Sequence, residues 1–142
     1  ALAREGQLEG ELREWRANLI TNYRFDPDST LGGWSIGGAI RWEDDKAVGY
    51  PITSQTLDGQ SLNLPDLSNP YLDDPVERVD FWIGYRTKIF DDKVDWKIQL
   101  NMANVLKNDG EIITTAVQPN GQQRAVTWRE GRQFRLRSTF SF

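Results

Sequence analysis

The chain has 142 residues, a formal charge of −4 and 38% hydrophobic residues, which suits one ordinary domain but is thin for a buried core. It contains no cysteine and no histidine, so a disulfide framework, a thiolate metal site and a Ser-His-Asp arrangement are excluded. The negative balance argues against a nucleic-acid module, while 11% aromatic residues are more than a disordered chain carries.

The opening "ALAREGQLEG" lacks the basic region and apolar stretch of a signal peptide, so the chain is expected to be cytosolic or a piece of something longer. Residues 1–14 are predicted to form a helical turn or two. The first alternating stretch, over 15–25, sets Trp15, Ala17, Leu19, Thr21, Tyr23 and Phe25 against Arg16, Asn18, Asn22 and Arg24, the period of two that a strand imposes. A second, over 33–42, sets Trp34, Ile36, Ile40 and Trp42 against Ser35 and Arg41. Residues 81–90 place Phe81, Ile83, Tyr85 and Ile89 opposite Arg86 and Lys88. Over 94–106, Val94, Trp96, Ile98, Leu100 and Met102 oppose Asp95, Lys97, Gln99 and Asn101, and over 133–142, Phe134, Leu136, Phe140 and Phe142 oppose Arg135 and Arg137. Each stretch has about the 9–11 residues with which a tilted strand crosses a bilayer, and no run is long and apolar enough for a transmembrane helix.

The connections alternate in length. Residues 26–32 and 91–93 are short turn-formers, whereas 43–80 and 107–132 are long, polar and rich in turn residues. This pattern predicts an all-β fold, an antiparallel up-and-down meander of about five strands with its long loops at one end, as in outer-membrane barrels. Every charged residue inside the five stretches lies on the polar parity. The outward aromatics fall near strand ends, with Tyr23, Phe25, Trp34, Trp96, Phe140 and Phe142 toward the short turns and Trp15, Trp42 and Phe81 toward the long loops. Two interfacial girdles of a barrel have that distribution, although a soluble β-sandwich also alternates.

The segments "DWKIQLNMANVLKNDGEI" and "TWREGRQFRLRSTFSF" resemble the last two strands of TonB-dependent outer-membrane receptors, with "NMANVL" where that family usually has an Asn-rich N-N-L motif. "RANLITNYRF", "GWSIGGAIRW" and "VGYP" are similar to the strands and loop that precede them. The resemblance implies the C-terminal portion of a large transmembrane β-barrel in the bacterial cell outer membrane. Its partners would be lipid, the remainder of the barrel, a plug domain and, through that plug, the TonB energy-coupling system. It also implies that Leu136, Phe140 and Phe142 serve as the signal read by the outer-membrane assembly machinery.

Within such a barrel Arg16, Arg24, Arg41, Arg86, Lys88, Lys97, Asn101, Arg135 and Arg137 face the lumen, in contact with plug or solute. Tyr50 and Tyr71 are candidate stacking surfaces at a ligand mouth, since loops often carry function. The loop acids Glu43, Asp44, Asp45, Asp73, Asp74 and Glu77 lack EF-hand spacing and read as a solvated face rather than a calcium site. No catalytic residue, metal site, cofactor or nucleic-acid partner is expected. The resulting expectation is transport of a scarce solute, against a passive outer-membrane barrel or a soluble β-sandwich ligand-binding module.

Overall fold

The computed structural model describes residues 12–57 and 59–142, so the helical turn expected over 1–14 lies almost wholly outside the described residues. The described elements are all strands. They are β1 (Arg16–Arg24), β2 (Trp34–Glu43), β3 (Ala47–Gly49), β4 (Ile52–Leu57), β5 (Gln60–Pro65), β6 (Tyr71–Leu72), β7 (Val76–Ile89), β8 (Val94–Ala103), β9 (Glu111–Val117), β10 (Gln123–Arg129) and β11 (Gln133–Ser141).

Five of them form one antiparallel sheet in the order β1-β2-β7-β8-β11. These are the stretches marked by strong alternation, and each long strand lies beside the next in chain order, as a meander requires. Strand β7 begins at Val76, ahead of the expected residue 81, because the charged Glu77 on the apolar parity hides an extension that the backbone continues. The Val105 amide donates to the Val79 carbonyl there at 2.7 Å. Strand β8 stops at Ala103 rather than 106 because Asn104 turns left-handed, with φ of 55°, a conformation that asparagine tolerates better than most residues.

The segments 43–80 and 107–132, expected as irregular loops, hold three two-stranded sheets, β3–β6, β4–β5 and β9–β10. Sequences such as "ITSQTL" and "EIITTAV" are rich in β-branched residues that suit a pleated backbone but offer little contrast between faces.

Both short turns are built locally. The Asp26 carboxylate accepts from the Asp28 amide at 2.9 Å, its carbonyl accepts from the Ser29 amide at 3.0 Å, and Gly33 closes the turn at φ of 86°. Between β7 and β8, Phe90, Asp91 and Asp92 all have positive φ, which gives the reversal the twist that matches paired strands.

The described residues divide into two compact units, one of residues 17–42, 77–110 and 130–142, the other of residues 12–16, 43–76 and 111–129. The first unit carries the five-stranded sheet. In the second, Arg13 is nearly enclosed, with its side chain 8% exposed. It bonds the Asp73 carboxylate at 2.6 Å, the Glu43 carboxylate at 3.4 Å and the Asp44 carbonyl. Asp73 in turn accepts from the Lys46 amide at 2.8 Å. Glu43 and Asp73 are therefore counterions of a buried cation and not the solvated face expected of them.

Among the described residues the buried apolar side chains are Ala47, Val48 and Val94, and of these only Val94 belongs to the long sheet. An antiparallel sheet normally hides one face in a core. Here Leu19, Ile40, Phe81, Leu100, Phe134 and Leu136 are all exposed on the apolar side.

Candidate functional site

Register brings the separate alternations together on two faces. Strands β7, β8 and β11 align Phe81, Met102 and Phe134 in one row, Ile83, Leu100 and Leu136 in the next, then Tyr85, Ile98 and Ser138, then Thr87, Trp96 and Phe140. Directly opposed residues share a face, so these rows make one continuous apolar surface with no charge in it. Toward the short turns it ends in aromatic pairs. Trp96 and Phe140 stack with centroids 6.2 Å apart, Trp34 and Tyr85 lie 5.0 Å apart, and Tyr23 meets Phe25 edge-on at 5.1 Å.

The opposite face carries the rows Trp82, Asn101, Arg135; Gly84, Gln99, Arg137; Arg86, Lys97, Thr139; and Lys88, Asp95, Ser141. Two side-chain bonds tie β1 to the same surface. The Arg41 guanidinium donates to Asn18 at 3.2 Å, and the Trp82 indole donates to Asn22 at 3.0 Å. By strand parity Arg16 and Arg24 share the side of Asn18 and Asn22, so the nine lumenal candidates lie on one face of the sheet.

Their charges are poorly compensated. Arg86 binds Asp95 through contacts of 3.1 and 3.4 Å, a pair exposed enough to contribute little net stability. The side chains of Lys97, Arg135 and Arg137 make no ion pair among the described residues, since Asp95, the acid in the neighbouring row, is taken by Arg86. Asn101 is held by amide bonds, accepting from Gln99 at 2.7 Å and donating to the Arg135 carbonyl at 3.4 Å.

Two residues on this face went unassigned in the sequence. Ile20 stands exposed on the polar parity of β1. Trp82 packs against Gly37 of the neighbouring strand, and a Cβ at Gly37 would sit 2.4 Å from the indole. The signal was available in "SIGGAIRW" and "DFWIGY", a glycine on one strand facing a bulky ring on the next.

Asn104, in the "NMANVL" segment, is 6% exposed. Its amide N–H donates to Asp80 at 2.8 Å and its side chain donates to the Glu130 carbonyl at 2.8 Å. It thus ties the end of β8 to β7 and to the approach of β11, where Arg132 caps the Val105 carbonyl at 3.0 Å. The Asn104 Oδ1 has no partner among the described residues.

The loop candidates fare differently. Tyr71 is half-buried, with its hydroxyl bonded to the Pro119 carbonyl at 3.3 Å and the hydroxyl end of its ring near Gly121. Tyr50 is half-buried and engaged as well. Trp128 is open in this unit, 62% exposed on β10 opposite Ile112, in a stretch expected to be loop. Leu136, Phe140 and Phe142 stand exposed on the apolar side of β11 and just beyond it. Among the described residues no group of acids is arranged to hold a metal ion.

Compared with protein-family models, with curated proteins and with solved structures, the chain matches none.

Proposed function

We propose that this chain is the C-terminal wall of the β-barrel of a TonB-dependent outer-membrane receptor and serves the import of a scarce solute. The observation that carries the proposal is a five-stranded meander with both faces open, one of them apolar, without charge from the Phe81 row to the short turns and edged with aromatics, the other polar and cationic. A sheet in water would have to cover the first face. A bilayer covers it without a second layer, and the aromatic pairs suit the headgroup region, where rings with a polar tip are favoured. The cationic face then borders a wet lumen, where Arg16, Arg24, Arg41, Arg86, Lys88, Lys97, Asn101, Arg135 and Arg137 meet solute or plug.

The resemblance of the strand sequences supports the family, and with it energy coupling through a plug supplied by other sequence. Leu136, Phe140 and Phe142 then act as the assembly signal on the lipid side. A passive barrel has the same wall, and nothing in the two faces favours it over the receptor.

Single cysteines at positions 99 and 100 of the full-length protein, each carrying an environment-sensitive fluorophore in lipid vesicles, test the wall directly. A label at Leu100→Cys is expected to be quenched by a lipid-dissolved quencher, and one at Gln99→Cys by aqueous iodide. Equal quenching of both labels by iodide would remove the bilayer from this account.

A further inference from the structure

We infer that the polar face holds a binding site for a small free anion, a carboxylate or phosphate group, in the recess where β1, β2, β7 and β8 approach their short turns. The recess has a volume of about 430 Å³; Asn22, Arg24, Ser35, Arg86 and Lys97 supply its polar lining, and residues of the first short turn and aromatic rings of the other parity supply the rest. The inference rests on the proposed reading only in that this face must be open to water.

Three cations line the recess and no acid does. Arg86 and Lys97 sit directly opposite each other in register, and like charges at directly opposed positions of an antiparallel pair repel. Arg86 is drawn aside by Asp95 at 3.1 Å, which leaves Lys97 beside a guanidinium already committed to another acid. Arg24 of β1, which also lines the recess, is exposed and without an ion pair among the described residues. An anion between Lys97 and Arg24 relieves the repulsion and gains charge-assisted hydrogen bonds from both.

The neutral lining completes the fit. The Asn22 amide is fixed by accepting from the Trp82 indole at 3.0 Å, which leaves its own N–H donors free to turn toward an oxygen. Ser35 Oγ reaches the Gly84 carbonyl only at 3.5 Å, a contact long enough that the hydroxyl gains by redirecting to an anion. Cationic groups, an amide and a hydroxyl converging on one cavity are the donors that a carboxylate or phosphate takes up.

Calorimetric titration of the full-length protein in detergent micelles tests the site. The probes are inorganic phosphate and citrate, each measured against sodium chloride of the same ionic strength. Saturable heat is expected with at least one probe. Lys97→Gln is expected to weaken it by about ten-fold, the loss of one hydrogen bond to a charged group. Lys93→Gln, an equal charge change in the exposed turn between β7 and β8, is expected to alter it by less than about two-fold, because screened charges outside the recess act weakly. Binding of one probe and not the other identifies the anion class and supports the site. No saturable heat with either probe, or equal weakening by the two substitutions, overturns it. The vesicle quenching described above reports on the membrane wall separately, so either result can fail without the other.

Discussion

Gly37 and Trp82 show how much rests on a missing side chain. A methyl at Gly37 would lie 2.4 Å from the indole ring, which forces the ring off the strand and breaks its bond to Asn22. Gly37→Ala is expected to cost about 1–3 kcal/mol, the usual range for overpacking. The same change in a Trp82→Ala background should cost much less, and a double-mutant cycle in urea measures the coupling. Additive losses would mean that the contact does not hold the strands. On the other face, one position decides the sign of a charge. Leu100→Arg at the midplane of the proposed wall is expected to cost about 2–4 kcal/mol, while Gln99→Arg one residue earlier, on the polar face, is expected to cost little. Refolding titrations of the full-length protein into lipid vesicles compare the two, and equal losses would contradict the assigned faces.

Among the elements, the second unit depends on Arg13, whose side chain lies among Asp73, Glu43 and the Asp44 carbonyl. With side chains 8% and 6% exposed, Arg13 and Asp73 form a buried pair, and removing one partner strands the other charge at a cost of about 3–5 kcal/mol. Arg13→Ala is therefore expected to speed protease nicking within 43–76 while leaving hydrogen exchange in β8 and β11 unchanged, since those strands belong to the other unit. Unaltered nicking would show that the cluster holds nothing in place. Asn104 does comparable work for the first unit, where its two hydrogen bonds, to Asp80 and Glu130, fix the left-handed turn that ends β8.

For the molecule as a whole, the long sheet has strand edges at β1 and β11. Each edge offers unpaired backbone groups that lipid cannot satisfy, and the apolar face between them is open to solvent when lipid is absent. This chain expressed alone is expected to aggregate in detergent-free buffer, and the full-length protein is expected to pair both edges. Size-exclusion chromatography of the isolated chain checks this, and a sharp monomer peak without detergent would show that the sheet needs neither lipid nor further strands.

The strong alternations alone determined where the long strands lie and which residues share a face, because a period of two is written locally in Leu19, Ile40, Leu100 and Leu136. Charge followed the same parity, so the cationic face was legible before its geometry was known. The hairpins inside 43–80 and 107–132 were not, since Thr, Ser and Gln strands lack a contrast between faces, and Trp128 was hidden with them. That the Tyr71 hydroxyl bonds the Pro119 carbonyl was equally hidden, because sequence shows ring chemistry but not what a ring meets. Only the tertiary structure brought Arg13 to Asp73, packed Trp82 against Gly37 and opposed Arg86 to Lys97. Such contacts join residues distant in sequence, and the register of paired strands, which no local pattern records, decides them.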